Sequence, residues 1–125
     1  DEFGLQRARI DLSSIYNDLA VDYKEREQEE DLQRALSLLD AALELARQAN
    51  DTEGEAFIYT SIAEVQAQAN NYEQALFSLR EASTIVDQQH YRSLKGSIFS
   101  LLDDIAPAVE ATGSAEMQRI LAELA

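Results

Sequence analysis

Apolar residues recur along the chain at steps of three and four. Leu5, Ala8, Leu12, Ile15, Leu19 and Tyr23 form one row, and Leu32, Leu36, Leu39, Leu43 and Ala46 form the next. Tyr72, Leu76, Leu79 and Ala82 repeat the pattern, followed by Ile98, Leu101, Leu102 and Ile105, and then by Met117, Ile120, Leu121 and Leu124. Such spacing keeps large side chains on one face of a helix, and no stretch alternates as a half-buried strand would. The fold class expected is therefore all-α.

Punctuation divides the chain into about six helices. The polar run from Glu27 to Asp31 separates the first from the second, and Asn50-Asp51 ends the second. Thr52 with Glu55 reads as a capping box for the third helix. Asn70-Asn71 reads as a turn in which Asn tolerates the left-handed conformation, and Asn71 with Gln74 as a second capping pattern. The fourth helix gives way to the fifth between Gln88 and Tyr91, Gly113 stops the fifth, and Ser114 caps the sixth. Pro107 should kink or end the fifth helix, because its ring removes a backbone hydrogen bond. With connections this short, neighbouring helices run antiparallel, giving hairpins over about 5–50, 51–87 and 88–125.

These hairpins are similar to one another. Asp31 to Ala42 aligns with Asn71 to Ala82 at a spacing of 40 residues, with Leu32 matching Tyr72, Ala35 matching Ala75, and Leu39 matching Leu79. Glu116 to Leu121 starts a third copy. On the preceding helices Tyr16, Leu19 and Ala20 correspond to Tyr59, Ile62 and Ala63, and Phe99 and Leu102 follow, with Asp103 replacing the small residue. The pattern is a packing code. Small residues at Ala20, Ala63, Ala35 and Ala75 admit a neighbouring helix, while Tyr16, Tyr59, Leu39 and Leu79 fill the gaps beside them. One hairpin cannot bury both of its faces, so stacking supplies the core.

At these residues the chain resembles the tetratricopeptide repeat family, best over Ala56 to Asp87 and in all over about residues 12–125. The resemblance implies a right-handed stack of antiparallel helical hairpins, an α-solenoid. Departures are the missing Gly and Pro punctuation, Gln66 in place of an aromatic, and three extra residues before Ala35. Asp103 and Pro107 bear on the third hairpin. The chain begins without Met, and Glu2-Phe3 is a dipeptide that a cloning site encodes, so residues 1–4 are read as an appended stretch and 5–125 as one domain cut from a longer protein.

The 24 acidic and 10 basic side chains give a formal net charge of -14, which argues against nucleic acid and anionic membranes, since Lys and Arg hold both. With no Cys there are no disulfides, thiolate metal sites or Cys nucleophiles. His90 is the single imidazole and is read as a surface residue between helices. Pairs such as Asp103-Asp104 and Glu29-Glu30 point about 100° apart on a helix and do not form an acid/base site. No catalytic residue, metal site or cofactor is expected. The charge-dense stretch from Asp22 to Asp31 is read as a solvated helix end and turn, the aromatics Tyr16, Tyr59, Tyr72 and Phe99 as core, and the apolar stripe of the last helix as packed on the fifth.

The resemblance also implies a concave face lined by the first helix of each hairpin. The corresponding residues are Asn17, Val21 and Lys24 on the first helix, Phe57, Thr60, Glu64 and Gln68 on the third, and Ser97, Ser100 and Asp104 on the fifth. Family members that grip a peptide's terminal carboxylate use paired Lys and Asn there. Val21, Thr60 and Ser100 stand in those places, so such a clamp is not expected. The expectation is a non-enzymatic protein-interaction module that holds a basic or amphipathic peptide or helix, with Phe57 as its aromatic anchor. The alternatives are a regulatory or sensor module of a larger protein, and a scaffold that forms a homodimer through its C-terminal helix. A cytoplasmic setting is the default.

Overall fold

The computed structural model describes residues 2–26, 28–89 and 91–125. Among them the chain forms six helices: α1 (Glu2–Glu25), α2 (Glu29–Gln48), α3 (Thr52–Gln68), α4 (Tyr72–Gln89), α5 (Arg92–Thr112) and α6 (Ala115–Leu124). Consecutive helices pair as three hairpins, and α3 also touches α1 and α5, so the first helices of the hairpins stack into one layer.

Two turns have the chemistry expected of Asn. Asn50 and Asn70 are left-handed, with φ of 55° and 64°. After α2, the Asn50 amide donates to the Arg47 carbonyl and the Asp51 amide to the Ala46 carbonyl. After α3 the same pair of bonds runs from Asn70 to Ala67 and from Asn71 to Gln66. Both are Schellman closures, in which the left-handed residue satisfies carbonyls that the helix end leaves open. The caps differ in part from expectation. Asp51, one residue before Thr52, caps α3 by accepting from the Gly54 amide at 3.0 Å. Asn71 and Gln74 exchange no side-chain cap bond, and the Asn71 carbonyl instead accepts from Ala75. Ser114 caps α6 as expected, accepting from the Met117 amide. Pro107 does not end α5, which runs on to Thr112.

Packing follows the small-residue code. Ala35, Ala56, Ala63, Ala75 and Ala82 are fully buried, and so are Leu76 and Leu79. The core has two regions that share α3. Ile58, Ile62 and Val65 join the region built on α1 and α2, while Ala56 and Ala63 join the region built on α4, α5 and α6; Tyr59 touches both. Ile120 and Leu121 of the last helix are buried in the second region, as expected of its stripe. Gln66, where an aromatic was expected, accepts a hydrogen bond from the Ser78 hydroxyl at 2.8 Å and ties α3 to α4.

Two apolar groups stand outside the core. On α1 the row Leu5, Leu12, Ile15 and Leu19 faces solvent, with exposures between 38% and 53%. The buried face is instead Ser13, Asn17 and Ala20. These small side chains let α1 approach closely enough for the Ser13 hydroxyl to donate to the Ala42 carbonyl of α2 at 2.9 Å. Phe99, expected in the core, is half-exposed.

Candidate functional site

Because α1, α3 and α5 lie side by side, their outward faces form a shallow concave surface with two hollows. The first, about 570 Å³, is lined by Ser14, Asn17 and Asp18 of α1, Phe57 of α3, and Ser93 and Ser97 of α5. The second, about 630 Å³, lies further along the same helices between Lys24, Glu64, Gln68, Ser97, Ser100 and Asp104. Ser97 belongs to both, so the hollows form one continuous track.

Phe57 is the large apolar side chain of this track, 48% exposed in spite of its size. Beside it Asn17 is only 8% exposed, and its Oδ1 has no hydrogen-bond partner among the described residues. An acceptor buried without a partner costs about 1–3 kcal/mol. Around these two stand the hydroxyls of Ser14, Ser93 and Ser97, with the carboxylates of Asp18, Asp51 and Glu53 at the rim.

In the second hollow Lys24 Nζ meets Glu64 Oε2 at 2.8 Å, joining α1 to α3. The pair is partly shielded from water, which keeps both side chains positioned but leaves little net charge at this point of the track. Asp104 has no ion-pair partner among the described residues. The surface therefore offers two aromatics, Phe57 in the first hollow and Tyr72 at the second, with a row of hydroxyls, an orphaned amide oxygen and an excess of carboxylates. Asp40 on α2, whose carboxyl is raised above the ordinary carboxylate range by burial, lines neither hollow.

Asn17, Lys24, Phe57, Glu64, Gln68, Ser97, Ser100 and Asp104 are brought together on this surface. Thr60 is not. It is 4% exposed, and its hydroxyl donates to the Ala56 carbonyl one turn back. Val21 lies half-buried in the narrow seam between α1 and α3, beside Ser61 and Val65, rather than on the open surface. Ser14, Asp18 and Ser93 belong to the track and were not anticipated. Their signal is spacing: Ser14 and Asp18 are one turn apart beside Asn17, as are Ser93 and Ser97 on α5. His90 lies outside the described residues.

No group of acidic or imidazole side chains suited to a metal ion occurs among the described residues, and none of the described helices is long and apolar enough to cross a membrane. Comparison with curated proteins and with solved structures returns no match. A family model described as tetratricopeptide repeat matches residues 11–88, which takes in the first two hairpins and the small-residue code that packs them. The chain therefore belongs to the tetratricopeptide repeat family, whose repeats mediate protein–protein interaction and are typically non-enzymatic.

Proposed function

We propose that the concave track holds a basic or amphipathic segment of a partner protein, with Phe57 as the apolar anchor and Asn17 as the acceptor for a backbone N–H. The observation that carries this reading is the pairing of a half-exposed aromatic with an unpartnered buried amide oxygen in one hollow. Together they match a polypeptide, which presents a side chain and an amide at short, regular intervals. The carboxylates of Asp18, Glu53 and Asp104 favour Lys or Arg in the segment and speed its encounter. The clamp for a terminal carboxylate remains disfavoured, since Lys24 is engaged by Glu64.

The test is a titration of 15N-labelled protein with an array-selected basic peptide. Amide shifts should cluster at Ser14, Asn17, Phe57, Ser93 and Ser97. Phe57→Ala should weaken binding by about 1–2 kcal/mol, close to tenfold in Kd, as for an aromatic anchor in an excluded pocket. Asn17→Ala should weaken binding as well while leaving Tm unchanged or raised, because it removes an unsatisfied acceptor. Peptide affinity that survives both substitutions would refute the assignment.

A further inference from the structure

The two hollows of the concave track are alike in size and unlike in charge. The second contains Lys24, whose ammonium offsets Glu64, so Asp104 is its one unbalanced carboxylate. The first is lined by Asp18, Asp51 and Glu53, and among the described residues no Lys or Arg lines it or pairs with any of the three. Two of these carboxylates have local company. Asp51 accepts from the Gly54 amide as the cap of α3, and Glu53 lies in the first turn of that helix, where the positive end of the helix dipole favours an acid. Asp18 has neither. It stands exposed in the body of α1, next to Asn17 and one turn from Ser14.

Two further features of this hollow point to a ligand and not to a merely solvated acidic face. Asn17 is 8% exposed, lines the hollow, and has an Oδ1 that no group among the described residues donates to. Phe57 is large and apolar, yet half-exposed in the same hollow as the carboxylates. An aromatic ring among acids attracts a cation in two ways, through the negative face of the ring and through opposite charge.

We infer that the first hollow is a subsite for the guanidinium of an arginine side chain in the bound segment, stacked on the Phe57 ring with its N–H edge toward Asp18. The inference rests on the reading of the track as a peptide groove and names the side chain that the groove selects; Asn17 keeps its place as acceptor for a backbone N–H. Arginine is the matching cation because its group is planar. One face lies on a ring while five N–H donors spread along the edge, and the acceptors of this hollow, Asp18 and the hydroxyls of Ser14, Ser93 and Ser97, are likewise spread along its wall. A lysine ammonium is a compact, strongly hydrated point that donates from one centre and does not lie flat on a ring. The second hollow already holds a cation of its own in Lys24.

The experiment titrates the 15N-labelled full chain with four nonapeptides, acetylated and amidated, that share identical uncharged flanks. Their central residue is arginine, lysine, citrulline or norleucine, and N-acetylarginine amide is a fifth probe. The arginine peptide should bind about tenfold tighter than the lysine and citrulline peptides, the ratio expected of one ring-stacked and charge-assisted contact. Phe57→Leu keeps an apolar side chain but removes the ring, and should bring the arginine and lysine peptides within about twofold of each other. Asp18→Asn should weaken the arginine peptide about three- to tenfold and flatten its salt dependence. Glu81→Gln removes one charge from α4, away from both hollows, and should leave the arginine preference as it is. The side chains at 18, 57 and 81 are exposed, so circular dichroism and Tm of the variants should match the parent chain. N-acetylarginine amide should shift the same amides only at far higher concentration; equal affinity would make the hollow a site for a free guanidinium and overturn its assignment to a segment. Equal binding of the arginine and lysine peptides, or an arginine preference that survives both Phe57→Leu and Asp18→Asn, overturns the inference. The two ways of failing are distinct. If all four peptides shift the amides of Asn17 and Phe57 with equal strength, the groove stands and the arginine subsite falls; if none shifts them, the groove reading falls and the subsite with it.

Discussion

Leu39 and Leu79 hold the same place in successive hairpins, and truncating each in turn tests whether the repeat read from sequence is also a repeat in energy. Both are almost wholly buried, Leu39 among residues of α1, α2 and α3, and Leu79 among residues of α3 to α6. Leu→Ala at such a site removes about 2–3 kcal/mol of transfer free energy and adds a cavity term, for a total of about 3–4 kcal/mol. An unfolding entropy of about 2.1 cal/mol/K per residue turns each kcal/mol into about 4 °C for 125 residues, so each variant should melt about 13 °C lower. Urea melts followed by circular dichroism give the free energies directly. The two sites lie in different core regions that meet only along α3, so the double variant should be additive within about 0.5 kcal/mol, measured in a stabilising osmolyte that keeps it folded. A loss below about 1.5 kcal/mol at either site would refute the packing code there. A coupling above about 1 kcal/mol would refute the division of the core into two regions.

Two further outcomes follow from local geometry. Asn70→Ala should cost about 1–2 kcal/mol, because φ of 64° sets a Cβ against the following carbonyl, while Asn70→Gly should be near neutral, and thermal melts of the pair separate backbone strain from lost side-chain bonds. Gly113→Ala should destabilise by about 1–3 kcal/mol even though φ is an ordinary -74°, since an added Cβ would lie 2.4 Å from the Val109 carbonyl oxygen; an unchanged urea midpoint would show that the α5–α6 connection yields freely.

Much of the architecture was legible because it rests on short-range chemistry. Asn70 marks a turn through its own tolerance of positive φ, Ser114 marks a start through its own hydroxyl, and Ala35, Ala63 and Ala75 announce close helix contacts by being small. Pro107 does not end α5, because a helix held by its neighbours tolerates the loss of one backbone bond. The site was less legible because a groove residue is defined by its azimuth, and one position along a helix turns that azimuth by about 100°. Ile62, Ala63 and Phe57 fix the orientation of α3 well enough to put Phe57 and Glu64 on the face it shares with α1 and α5. Thr60, between them in sequence, rotates inward and spends its hydroxyl on Ala56. On α5 the small residues around Gly96 give no azimuth of their own, and Ser93 went unrecognised beside Ser97.

α1 shows the deeper reason that periodicity alone falls short. α3 is covered on two sides, so Ile58 and Ile62 can serve one core region while Ala56 and Ala63 serve the other, and Phe57 is its one large apolar side chain left half-exposed. α1 meets its described neighbours through one side. On α1 that side is occupied by Ser13, Asn17 and Ala20, which bury little apolar area but permit a short interaxial distance and the Ser13 bond to Ala42. Leu5, Leu12, Ile15 and Leu19 are then unnecessary to the interior. Four large apolar side chains in one exposed row lower solubility and add nothing to the folded state unless something covers them, and contiguous apolar rows of this kind mark interaction surfaces. The strongest apolar period of α1 thus lies off the face that packs on α2 and α3. In stacked-helix proteins the two faces become distinguishable only where the small-residue face is identified first.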